Sequence, residues 1–233
     1  MKTIGILGGM SWESTAIYYR IINQEINRRL GGLSSAKILI NSVNFGDIEQ
    51  WWKTDDWAGI GHYLAEHAMQ LQKGGADALV IATNTMHKLA PLIEEHIDIP
   101  LLHIADSTGD AIKQSGLDKV GLLGTRFTME EQFYTGYLAS HKNIDVLIPD
   151  NGERLEINRI IFDELVHGVI KAKSRSIYKQ AIHHLADRGA KGIILGCTEI
   201  PMLIQQSDVQ LPLYDTTTLH ALSAVNFALS ESR

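Results

Sequence analysis

Cys197 is the only cysteine among 233 residues, and it ends the apolar run Gly192-Ile193-Ile194-Leu195-Gly196-Cys197, followed by Thr198-Glu199. A near-copy stands 114 residues earlier, Ala78-Leu79-Val80-Ile81-Ala82-Thr83-Asn84-Thr85, with Thr83 at the place of Cys197. A thiol and a hydroxyl at matched positions of a repeated unit suit proton transfer on the two faces of one carbon centre, the chemistry of inversion. Each follows a predicted strand, so both fall on βα turns at strand C-termini, where open α/β sheets bind ligands. There the amides of the following helix are expected to favour a Cys197 thiolate over a free thiol of pKa ~8.5. The Thr83 hydroxyl is the poorer base and needs activation, yet it can deliver a proton to a carbanion.

Other residues could hold a ligand at the same edge. The loop Leu7-Gly8-Gly9-Met10-Ser11 leads into a helix, and its amides suit an anion. A full GxGxxG is absent, so a carboxylate fits better than a pyrophosphate. Gly124-Thr125-Arg126 is the second-half counterpart, able to cradle a second carboxylate or simply to turn the chain. None of the ten histidines has metal-ligand spacing. His183 and His184 read as solvated; His87 and His103 either tune a nearby acid or base or are satisfied in the core. Glu164 reads as a ligand for a substrate ammonium or as part of a solvated helix face. Trp51 and Trp52, followed by Lys53 and Trp57, read as a loop that forms a lid, an oligomer contact or packing.

The elements that must position these groups follow from periodicity. Apolar strand-like runs at 3–7, 37–43, 78–82 and 101–104, then 120–123, 145–148, 192–196 and around 213–214, alternate with amphipathic helical stretches. Ser11 caps a helix running to about Leu30, ended by Gly31-Gly32. Trp57, Ile60, Leu64, Ala68 and Leu71 mark a second helix, stopped by Gly74-Gly75. Thr128 and Glu131 form a capping-box pattern, and a last helix covers 217–230. The halves match in order: Ile4 to Gly8 with Val120 to Gly124, Gly75-Ala76 with Gly189-Ala190, Pro100-Leu101 with Pro212-Leu213. The expectation is an α/β fold of two pseudo-symmetric lobes, each a small parallel sheet flanked by helices, with the active site between them. Residues 1–110 form the lobe with Thr83, 111–216 the lobe with Cys197, and 217–233 a helix packing back on the first lobe.

Hydrophobic content of 45% and charged content of 21% are those of a soluble globular chain. One cysteine excludes an intrachain disulfide and fits a reducing cytoplasmic setting. Gly8, Gly9, Ser11 and Glu13 interrupt any signal-peptide core, and no stretch reaches membrane-spanning length. A formal charge of −6 argues against nucleic acid as a partner.

The motifs Ile4-Gly5-Ile6-Leu7-Gly8-Gly9-Met10-Ser11, Thr83-Asn84-Thr85-Met86-His87, Leu123-Gly124-Thr125 and Leu195-Gly196-Cys197-Thr198-Glu199, in this order, resemble the aspartate/glutamate racemase superfamily over essentially the whole chain. The resemblance implies a homodimer of two-lobed subunits, with no cofactor and no metal, that racemises an amino acid by two-base α-proton transfer. In the usual pattern both bases are cysteines; Cys197 matches the second, and Thr83 replaces the first. Some members with Thr-Asn-Thr favour L-substrates, which the resemblance implies here. Substrate-holding positions carry over to Met10, Ser11, Asn84, Thr85, Thr125, Glu164 and Thr198. Trp52 falls at another, where tryptophan departs from the pattern. Rival readings are a single-cysteine decarboxylase or a cis-trans isomerase of a dicarboxylate from the same superfamily, and a catalytically weak amino-acid-binding protein.

Overall fold

A computed structural model describes residues 1–231. In chain order its main elements are β1 (Ile4–Gly8), α1 (Trp12–Leu30), β2 (Ile38–Ser42), α2 (Phe45–Lys53), α3 (Trp57–Lys73), β3 (Ala78–Ile81), α4 (Ala90–Glu94), α5 (Ile104–Gln114), β4 (Lys119–Gly124), α6 (Arg126–Glu130), α7 (Gln132–Lys142), β5 (Asp145–Leu147), α8 (Asn151–Asp163), α9 (Ala172–Asp187), β6 (Ile193–Gly196), α10 (Ile200–Leu203), β7 (Leu213–Asp215) and α11 (Thr216–Leu229). Short 3-10 turns occupy Thr85–Leu89 and Leu165–His167. The chain divides into two compact units, Met1–Ile104 with the chain from His220 on, and Ala105–Leu219. The divisions thus fall at Ile104 and within α11, whereas the sequence placed them at 110 and 216; Ser232 and Arg233 lie outside the described residues.

In the first unit the parallel sheet runs β2-β1-β3, with Leu7 opposite Ile81 at the C-terminal end. Both faces are covered, which is why these strands read as unbroken apolar runs. Ile4, Ile6 and Val80 pack against Tyr18, Ile22 and Ile26 of α1 and Ala221, Ala224, Val225 and Ala228 of α11. Leu7, Leu79 and Ile81 pack with Ile60, Leu64, Ala68 and Leu71 of α3. Helix α3 tolerates Gly59 and Gly61, each costing about 1 kcal/mol. Full burial of Ile60 and Leu64 contributes roughly 1.5–3 kcal/mol per side chain and outweighs that cost. Gly61 has its own reason, since a Cβ there would come 2.8 Å from Leu92 Cδ1.

The expected strand at 101–104 shrinks to a single bridge, Leu79 with Leu101. Pro100 precedes it and α5 begins at Ile104, so no length remains for a ladder. In the second unit the parallel order is β5-β4-β6-β7, with Gly124 opposite Gly196. This is the order of the first unit, with β7 in the place of the Leu101 bridge, so the repeat read from the sequence is a repeat of topology.

Two local expectations are corrected. Thr128 is not a cap: Thr125 caps α6, and its hydroxyl accepts the Thr128 N–H at 3.3 Å. Thr128 is fully buried instead. Trp51 and Trp52 are helical, within α2, and partly buried against the α3 core.

Candidate active site

In the first unit, the loop after β1 and the turn after β3 lie at one edge of the sheet. Gly9 has φ +91°, and a Cβ there would overlap the Val43 backbone, so the loop needs glycine. The Gly9 N–H donates to Thr15 Oγ1 at 2.8 Å. Ser11 caps α1 as the sequence predicts, its hydroxyl accepting the Ser14 N–H at 3.2 Å. Ser14 in turn donates to the carbonyl of Ala82 at 2.8 Å, tying this loop to the residue before Thr83. Thr83 is half-buried, Asn84 and Thr85 are buried, and the Thr83 carbonyl accepts a hydrogen bond from His87 Nδ1 at 2.8 Å. Met10 lies in the same core cluster against which Trp51, Trp52 and Trp57 pack. The Trp52 ring sits 5.5 Å from that of Trp57 and 6.1 Å from that of Phe45.

In the second unit, β4 and β6 end side by side, and the paired Gly124 and Gly196 are followed directly by Thr125 and Cys197. A Cβ on Gly196 would come 3.2 Å from the Leu123 carbonyl and 2.9 Å from Leu122 Cδ1, so the thiol is delivered by a tight turn. Cys197 is partly buried, and its Sγ donates to Glu199 Oε2 at 2.9 Å. Burial, then the Glu199 charge and hydrogen bond, push the thiol well above its ordinary range; the Glu199 and Thr198 amides pull it down less. The expected thiolate is therefore corrected: desolvation and a neighbouring carboxylate outweigh the backbone dipoles. The resting group is a thiol with a proton acceptor already in contact.

Behind this turn, Tyr178 of α9 is fully buried and donates to the Ile157 carbonyl at 3.2 Å. Burial first, then the Cys197, Glu164 and Glu199 charges, raise its hydroxyl well above the ordinary range. Glu164 ends α8 and is 3% exposed, so it is no part of a solvated helix face. Ser174 donates to its Oε2 at 2.5 Å, while Arg159 at 3.2 Å and Lys171 at 3.3 Å meet Oε1. These partners, Ser174 foremost, lower its pKa.

The first unit thus brings Met10, Ser11, Thr83, Asn84 and Thr85 to the C-terminal edge of its own sheet, and the second unit brings Thr125, Cys197 and Thr198 to that of its own. Glu164 has its oxygens taken by internal partners. Two residues gain weight that sequence reasoning did not assign. Glu199 was visible as the acid two residues after the cysteine; His220, whose ring lies 5.4 Å from that of His87 and whose Nδ1 accepts the Tyr18 hydroxyl at 2.9 Å, carried no local signal, because its partners come from distant segments. Among the described residues no group of three or more His, Cys, Asp or Glu side chains is placed to hold a metal ion. No described helix is long and apolar enough to cross a membrane.

The Asp/Glu/Hydantoin racemase family profile matches residues 7–224. A candidate Asp/Glu racemase from Yersinia pestis superposes with a TM-score of 0.96 at 49% identity, covering 99% of this chain and 100% of that one. An aspartate racemase homologue from Pyrococcus horikoshii OT3 superposes with a TM-score of 0.87 at 34% identity, over 99% and 100% of the two chains. The broad specificity amino-acid racemase RacX of Bacillus subtilis is 24% identical over 171 residues, 72% of this chain and 71% of its own. The chain belongs to the Asp/Glu/Hydantoin racemase family.

Proposed function

We propose that this member of the Asp/Glu/Hydantoin racemase family inverts the α-carbon of a free amino acid of the aspartate/glutamate type, L-preferring and without a cofactor, using Cys197 on one face and Thr83 on the other. The observation that carries this reading is the Cys197–Glu199 contact. Passing the thiol proton to Glu199 yields a thiolate and a neutral carboxyl, and the thiolate then takes the substrate α-proton. The α-carbanion accepts a proton from the Thr83 hydroxyl on the opposite face, and the alkoxide so formed regains a proton from solvent while the Glu199 carboxyl releases its own. Acid–base groups of this kind contribute about 10²–10⁴-fold each. The Met10 and Ser11 amides, with Asn84, Thr85, Thr125 and Thr198, are assigned to the substrate carboxylates, and stabilising the carbanion charge falls to such donors. Met10 and Trp52 are assigned to the wall of the substrate site. Glu164 is assigned to holding Arg159 and Lys171.

Incubation with L- and D-amino acids in deuterated water, read by α-deuterium incorporation and chiral chromatography, tests this. Exchange and inversion with aspartate or glutamate are expected, faster from the L-enantiomer. Binding without exchange would make the protein a sensor. A second reading has one observation in its favour: a protonated thiol is already a proton donor, and a malonate decarboxylase needs only one. Carbon dioxide release from malonates without amino-acid exchange would establish it instead.

A further inference from the structure

We propose that His87 is a positioning residue for Thr83, holding the threonine turn in register for proton delivery to the substrate; the proposal rests on the racemase reading above. His87 lies four residues after Thr83 in the 3-10 turn and is 1% exposed. It makes three ties to the backbone. Its Nδ1–H donates to the Thr83 carbonyl at 2.8 Å, its Nε2 accepts the Ile104 N–H at 3.2 Å, and its own N–H donates to the Asn84 carbonyl at 3.1 Å. With Ser14 on the Ala82 carbonyl, consecutive carbonyls at 82, 83 and 84 are each held. Both imidazole nitrogens are committed in one tautomer, a donor at Nδ1 and an acceptor at Nε2.

The clamp is itself braced. The His87 ring meets His103 edge-on at 4.7 Å and His220 at 5.4 Å. His220, from α11, donates through Nε2 to the Leu102 carbonyl at 2.5 Å and accepts the Tyr18 hydroxyl at Nδ1, 2.9 Å away. Burial, and secondly the charges of His103 and His220, drive the His87 pKa far below the ordinary imidazole value. A neutral ring with both nitrogens engaged has no proton to trade with substrate, which leaves orientation as its contribution. Misplacing a reacting group by ~1 Å can cost about 10²-fold, so a clamp on the Thr83 turn is worth that order of rate.

The test separates the two faces. Exchange of the α-proton for deuterium with retained configuration reads the Cys197 face, and inversion reads Thr83. In His87→Asn the amide Nδ2 can take the Nδ1 position; His87→Gln and His87→Leu cannot restore that bond. The expected result is inversion down about tenfold or more in the Gln and Leu variants, with retained-configuration exchange changed far less and the Asn variant close to wild type. Exchange and inversion falling in parallel, or Asn no better than Gln, would overturn the proposal. Should the variants not fold, the ¹⁵N spectrum of the wild-type histidines decides: a protonated Nδ1 and bare Nε2 at His87 support the clamp, and the opposite tautomer overturns it. Wild-type protein with no exchange from any amino acid overturns the racemase reading itself, an outcome distinct from unchanged ratios in an active enzyme.

Discussion

The Cys197 thiol donates to the Glu199 carboxylate across 2.9 Å, whereas the position matching Glu199 in the first half of the chain is Thr85. The repeat has kept its topology and lost its symmetry of charge. One sheet edge holds a thiol with a proton acceptor in place, and the other a hydroxyl followed by neutral residues. A hydroxyl is a far weaker acid than a thiol and stays protonated at neutral pH, so the Thr83 side offers no base to take a proton and can give one only to a base as strong as the carbanion.

Replacing Glu199 by Gln leaves the thiol without its acceptor. Exchange at neutral pH is expected to fall about 10²-fold or more. The pH profile should change as well. Glu199 raises the thiol pKa, so the uncharged amide lowers it relative to wild type, while burial still holds it up. Exchange in the variant should climb with pH through the alkaline range, where the proposed internal transfer would make wild type depend on pH less. Parallel profiles for the two proteins would show that Glu199 is not the acceptor.

Thr83→Ala should retain α-deuterium exchange from the enantiomer facing Cys197 and lose inversion by about 10²-fold or more. Thr83→Cys should raise turnover of the disfavoured enantiomer, because a thiol supplies a usable base on that side. Chiral chromatography beside mass-resolved exchange measures both. No gain in the Cys variant would count against Thr83 as the second group.

Acid should weaken the first unit through its buried histidines. The His220 pKa is lowered to about 4, chiefly by burial, and that of His87 moves in the same direction. Both are depressed relative to the unfolded chain, so their contribution is present above the ordinary imidazole value and is lost as pH falls toward the folded value. For His220 the loss is on the order of 3 kcal/mol between pH ~6.5 and ~4. Urea melts at pH 7 and 4.5 check this. His220→Gln should be less stable at pH 7 but lose less between the two pH values; an equal loss would exclude His220 as the source.

Gly9→Ala should destabilise by more than about 3 kcal/mol, since it adds an overlap with Val43 to an unfavourable φ. Gly116 also has positive φ but nothing within 4 Å of a Cβ, so Gly116→Ala should cost only ~1–2 kcal/mol. Comparable melting losses for the two would mean that the β1 loop relaxes.

Much of this was legible in the chain because it is local. Strand runs such as Ile193-Ile194-Leu195, the Ser11 cap and the glycine stops after α1 and α3 each follow from short-range sterics and burial. The repeat placed Thr83 and Cys197 at equivalent strand ends, and two parallel sheets of equivalent order bear that topology out. The strand at 101–104 was over-read because Leu101 and Leu102 are apolar, while the onset of α5 limits pairing to one bridge. Trp51 and Trp52 were read as loop because nothing local shows that one face of α2 packs on α3.

The sequence by itself determined the fold class and the repeat, and it set a thiol and a hydroxyl at matched strand ends, because hydrophobic period and chemical type are written residue by residue. Only the tertiary structure decided their states. Whether Cys197 rests as thiol or thiolate depends on competition between burial, a carboxylate and two amides, and no spacing rule weighs those against one another. Whether His87 is a base or a clamp depends on Ile104 and His220 meeting it from 17 and 133 residues away. Desolvation and hydrogen bonding are properties of the packed surroundings, and those exist only once the chain has folded.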